Sequence, residues 1–125
     1  VEPPGGGVQV KESENMDELS LTSLVDAQID AARGATNGRS AHTVYGGTGC
    51  VLRQTVLALA AGHGLDDHES PGEATLLVLR GRVRLGAAAD TAEIGQGDYL
   101  VIPPERHNLV AVEDSAVLLS VVARR

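Results

Sequence analysis

Most of the chemistry this sequence can offer sits on two of its four histidines, His68 and His107. A free imidazole titrates near neutrality, so either can act as a general acid or base. In neutral form it ligates Fe, Mn, Ni, Cu or Zn. His68 opens the stretch "HESPGEATLLVLRG", with Glu69 and Glu73 close behind it and Ser70 between. The plainer reading makes His68 and His107 polar residues left in a cavity, bonded to each other or to water. A nucleophilic role for Ser70 would need an oriented base and an oxyanion hole, often at a strand-to-helix elbow. Ser70 stands before a Pro71-Gly72 turn instead, so it is read as hydrogen-bonding backbone or a ligand. Arg53 interrupts the apolar run Val51 to Ala60. It faces solvent or an interface, or, if turned inward, grips a carboxylate or phosphate as a bidentate fork. Tyr99 either fills the core or closes a cavity with its hydroxyl. Cys50 is the single cysteine, which excludes an intrachain disulfide and a Cys-rich zinc motif. It is read as a small residue beginning a strand.

These residues need elements to position them. The stretch Asp17 to Arg33 predicts a helix, because Leu21, Leu24, Val25, Ile29 and Ala32 recur at spacings of three and four. Asp17 and Glu18 near its start and Arg33 at its end suit the helix dipole, and Gly34 just beyond suits a C-terminal cap. An amphipathic helix of this kind is expected to pack across an outer sheet face. From Arg39 onward the pattern changes to short strands near 41–45, 51–60, 75–79, 82–85, 92–94, 99–102, 109–112 and 117–122. Glycine- and proline-rich turns separate them, among them Gly62 to Gly64. Strands this short and this frequent predict an all-β sandwich or barrel. Thr75 to Leu79 is apolar on both alternating faces, so both are expected to be covered, by the helix or by a dimer partner. Residues 1–38 read as an arm and helix, and 39–125 as the β domain. Val1 to Asn15 reads as a loose arm, since Pro3-Pro4 and Gly5 to Gly7 resist regular structure.

Two segments resemble the cupin superfamily, small jelly-roll barrels of the double-stranded β-helix type. The family's first motif is a glycine, two histidines separated by one residue, a glutamate a few residues on, and a glycine seven residues after the glutamate. "GHGLDDHESPGEATLLVLRG" runs against it without a gap, Gly62 and Gly81 taking the flanking glycines and His68 the first histidine. The second motif is a glycine, five residues, a proline and then a histidine. "GDYLVIPPERHNL" supplies Gly97, Pro103 and His107. The resemblance covers about two thirds of the chain and implies a barrel whose motif side chains converge inside. It also implies that the metal motif has degenerated. Ser70 stands where the second histidine belongs and Ala74 where the glutamate belongs. The second motif is one residue short, with Glu105 in place of its glycine. Glu69, Glu73 and His63 are the candidate helpers for a rebuilt site. Glu69 and Glu73 are each one residue off the ligand positions, so a bulge at Ser70-Pro71-Gly72 would be needed to turn one inward. His42 is a further candidate for the inner face of the first strand.

Composition narrows the classes of function. A chain of 125 residues forms one domain with a real core. Its only aromatics are two tyrosines, so any pocket has aliphatic walls. The net charge of −7 and the absence of a basic cluster exclude a nucleic-acid footprint. No apolar run approaches the roughly 20 residues that span a bilayer, and no signal peptide is apparent, so a cytoplasmic location is expected. The leading expectation is a homodimeric small-molecule-binding barrel with no cofactor, or with only a weakly held divalent metal. Its pocket would draw on His68, Ser70, His107, Arg53 and Tyr99. The alternative is a metal-dependent dioxygenase, isomerase or decarboxylase rebuilt around His68 and His107.

Overall fold

The computed structural model describes residues 16–69, 72–88 and 90–123. The arm from Val1 to Asn15, and the expectations for Ser70 and for a bulge at Ser70-Pro71, lie outside the described residues. Helix α1 spans Leu21–Gly34, followed by β1 (Arg39–Tyr45), β2 (Leu52–Leu59), β3 (Gly64–His68) and β4 (Gly72–Arg80). Then come β5 (Arg82–Ala87), β6 (Thr91–Gly95), β7 (Tyr99–Val101), β8 (His107–Ala111) and β9 (Ser115–Ala123). The strands form two antiparallel sheets, one ordered β1-β2-β9-β4-β7 and the other β3-β8-β5-β6. The strand spacing predicts such an all-β sandwich, and the family resemblance implies this jelly-roll architecture.

Alternation decides what lies between the sheets. On β4, Ala74, Leu76 and Val78 are buried and point inward, while Thr75, Leu77 and Leu79 take the other face. Leu57 and Leu59 of β2, Val117 of β9, and Val83, Leu85, Leu109 and Ala111 of the second sheet complete this inner core. A second core lies on the outside of the first sheet. There Val25, Ile29 and Ala32 of α1 are buried against Val56, Ala58 and Ala116, with Leu79 and Leu118 at its margin. Burying each of the larger side chains contributes about 1.5–3 kcal/mol. The helix thus covers part of the second apolar face of β4. It does not cover the edge at β7, where Tyr99 and Val101 stay 62% and 65% exposed.

Three expectations needed correction. The helix begins at Leu21 and not at Asp17, because the Ser20 hydroxyl accepts the Ser23 N–H at 3.2 Å and caps it there. Gly34 belongs to the helix, and the C-cap is Ala35 in extended conformation, so no left-handed glycine ends it. A ninth strand, β3, was missed, since "GLDDH" has a single apolar side chain and begins at a glycine read as part of a turn. Gly81, the closing glycine of the first motif, turns the chain from β4 to β5 at φ +90°. A Cβ there would strike the Ser115 side chain and the Asp114 carbonyl, so space and backbone both demand glycine. Among the described residues no helix is long and apolar enough to cross a membrane.

Candidate functional site

The inner faces of the two sheets enclose a cavity of about 200 Å³. Its walls are aliphatic: Leu57, Ala74, Leu76, Val117, Leu119 and Val121 from the first sheet, and Leu65, Leu85 and Leu109 from the second, with Ile102 just past β7. The polar residues of the wall are His68, His107 and Glu69.

His68 and His107 are brought together by pairing between β3 and β8, where they are direct register partners. Their rings meet edge to face, with centroids 4.3 Å apart and planes at 67°. A bulge makes this possible. Leu65 pairs with Leu109 and His68 with His107, so three steps on β3 oppose two on β8. On a regular strand Leu65 and His68 would point to opposite faces; the extra residue lets both line the cavity.

Hydrogen bonds fix how each ring presents its nitrogens. Nδ1 of His107 lies 2.9 Å from the Glu105 carbonyl oxygen, and Nδ1 of His68 lies 2.9 Å from that of Asp66. A carbonyl oxygen only accepts, so both Nδ1 atoms carry the proton. In a neutral imidazole that leaves Nε2 as a bare acceptor. His107 is only 4% exposed, and no described residue hydrogen-bonds its Nε2.

Glu69 lines the mouth and pairs with Arg106 at 3.1 Å, both side chains being largely exposed. Arg106 also reaches the Asp67 carbonyl at 3.5 Å, and Asn108 donates to the Asp67 carboxylate at 2.8 Å. These contacts stitch the end of β3 to β8 beside the histidines. Arg106 was not singled out in the sequence, since a residue next to His107 carries no periodic signal of its own.

The other expected site residues lie elsewhere. Ala74 lines the cavity, so its neighbour Glu73, exposed and paired in register with Val122, is on the opposite face of β4. His63 precedes β3, roughly 15 Å along the chain from His68, with its ring against Gly38. His42 pairs with Val56, on the helix side of the first sheet. Tyr99 pairs with Leu77 on the outer face, because β7 enters the sheet with Leu100 inward opposite Leu76. Arg53 shares a cross-strand row with Val121 and Ala74, and so the cavity side of the sheet, but it is exposed at the strand's outer end and is not part of the wall. Cys50 sits half-buried just before β2, its Sγ 3.9 Å from the Tyr45 hydroxyl. Among the described residues no group of three or more His, Cys, Asp and Glu side chains gathers closely enough to hold a metal ion.

No family model matches the chain, and no curated protein is similar to it in sequence. Solved structures are similar. A conserved protein of unknown function from Streptococcus pyogenes is 25% identical, with a TM-score of 0.69 over 93% of this chain and 95% of that one. A cupin superfamily protein from Desulfitobacterium hafniense is 15% identical, with a TM-score of 0.72 over 94% of this chain and all of its own. An RmlC-like cupin from Shewanella frigidimarina is 16% identical, with a TM-score of 0.62 over 71% and 79% of the two chains. Two antiparallel sheets packed face to face, in the fold these structures share, make this chain a cupin-fold protein.

Proposed function

We propose that this chain binds a small, largely aliphatic molecule in the cavity and holds its polar group at His68 and His107. The observation that carries this reading is the Nε2 of His107. It is a hydrogen-bonding atom on a side chain 4% exposed, lining an apolar cavity, with no partner among the described residues. Such an atom in a native core calls for a ligand or an ordered water. Ten aliphatic side chains around it supply the rest of a ligand's environment.

The metal that the fold family implies does not fit these residues. Two imidazoles remain, and a methyl group, Ala74, stands in the wall where the family's carboxylate would. Firm binding of a divalent ion takes three protein ligands or more. A second reading, a metal-dependent enzyme, is favoured by one observation: Glu69 lines the same cavity as both histidines. Its pairing with Arg106 at the rim weighs against that role.

Two measurements on tag-free protein test the reading. Methyl NMR with added benzene, a molecule that fits apolar cavities of about 150 Å³, should shift the methyls of Leu76, Leu109 and Val117. Ala74→Phe, which fills the space, should abolish the response. Wild-type methyls that ignore benzene would sink the reading. Elemental mass spectrometry should find metal far below stoichiometric; a near-stoichiometric ion lost in His107→Ala would favour the enzyme instead.

A further inference from the structure

Resting on that reading, we infer that the ligand carries a hydrogen-bond-donating headgroup, best matched by a small primary aliphatic amine, and that the cavity rejects carboxylates and phosphates of the same size. Among the described residues, the polar equipment of the wall is acceptors only. Both histidines spend their Nδ1 protons on backbone carbonyls 2.9 Å away, Asp66 for His68 and Glu105 for His107. Each, as a neutral imidazole, therefore turns a lone pair, not an N–H, to whatever else it meets. The third polar group, Glu69, is a carboxylate when ionised and also only accepts.

The cations nearby do not reverse this. Arg106 is outside the wall and committed to Glu69 at 3.1 Å and to the Asp67 carbonyl. Arg53 lies on the cavity side of its sheet but exposed at the strand's outer end. An anionic headgroup beside His107 would face two lone pairs and a carboxylate in an aliphatic cavity, with no donor among the described wall residues to replace lost water. A primary ammonium brings N–H donors to both imidazoles, and Glu69, shared with Arg106 at the rim, lies in the same wall. An alcohol brings one donor and satisfies one imidazole. The size limit follows from volume. A cavity of 150 Å³ holds benzene, so about 200 Å³ holds roughly eight non-hydrogen atoms.

The test is a titration of wild-type protein near pH 7.5 with n-hexylamine, 1-hexanol and hexanoate, followed by methyl NMR with benzene as reference. The amine should bind at least about tenfold more tightly than hexanoate, a difference of about 1.4 kcal/mol, with hexanol between. His107→Phe should lose most of the preference for amine over hexanoate. Hexanoate binding as tightly as the amine, or a preference for it that vanishes in Arg53→Ala, would overturn the inference. Benzene binding without discrimination among the three would also overturn it while leaving the pocket reading intact. Failure of benzene as well would remove both.

Discussion

At the scale of single residues, Ala74 shows how much one side chain decides. It is 6% exposed and faces the cavity in the same cross-strand row as Val121. Replacing it with glutamate would put a carboxylate into an aliphatic wall that also holds His68 and His107. Without metal, Ala74→Glu should lower stability by a few kcal/mol, the cost of burying an unpaired charged or polar group. With Zn²⁺ or Ni²⁺ added, the variant should regain stability and bind the ion more tightly than wild type, as read by calorimetry and thermal melts. If neither ion binds better, the two imidazoles do not converge with position 74. His107 is the opposite case, a residue whose type was legible from the motif but whose free nitrogen was not. Which nitrogen keeps the proton depends on the Glu105 carbonyl, and no sequence pattern states where that carbonyl points.

At the scale of elements, α1 and the cavity sit on opposite faces of one sheet. Val56 and Ala58 of β2 pack under the helix, while Leu57 between them lines the cavity. Ile29, 4% exposed, anchors the helix. Ile29→Ala should cost about 2–5 kcal/mol in urea denaturation, as cavity-forming truncations do, yet leave the benzene response of the inner methyls in place. Loss of that response in a folded variant would mean the helix shapes the cavity through the sheet. The β3–β8 ladder is the element that creates the site. Its bulge turns His68 inward, and its Arg106, Asp67 and Asn108 contacts hold the strand end in that register. On the outer face of the second sheet, Arg82 and Arg84 share Glu93 across β5 and β6, and their hydrogen bonds hold its carboxyl below the usual range.

At the scale of the whole molecule, a carboxylate of the barrel helps tie the helix to it. Asp114, in the turn between β8 and β9, accepts the Ala61 N–H at 2.8 Å and the Arg33 side chain at 2.6 Å. The Ala61 N–H first, and Arg33 second, hold its carboxyl below the ordinary carboxylate range. A carboxyl lowered in the folded state adds stability above its unfolded value, near 3.9, and loses it as pH falls through the folded value. Wild type should therefore lose urea resistance more steeply below about pH 4 than Asp114→Asn, whose amide still accepts from Ala61 but does not titrate. Parallel curves for the two proteins would remove Asp114 from the acid response. Tyr99 and Val101 remain exposed on β7, at the far edge of the first sheet from α1. The sequence by itself determined an all-β fold of short strands behind one helix, because strand alternation and turn residues are local properties of the chain, and its two motifs marked His68, His107 and Gly81. Only the tertiary structure decided that Tyr99 and His63 lie away from the cavity, that Glu69 lines it and pairs with Arg106, and that both histidines direct Nδ1 to backbone carbonyls. A strand's two faces look alike until its neighbour is chosen, and a bulge exists only between two strands, so the inward side of His68 was a fact about β8 as much as about β3.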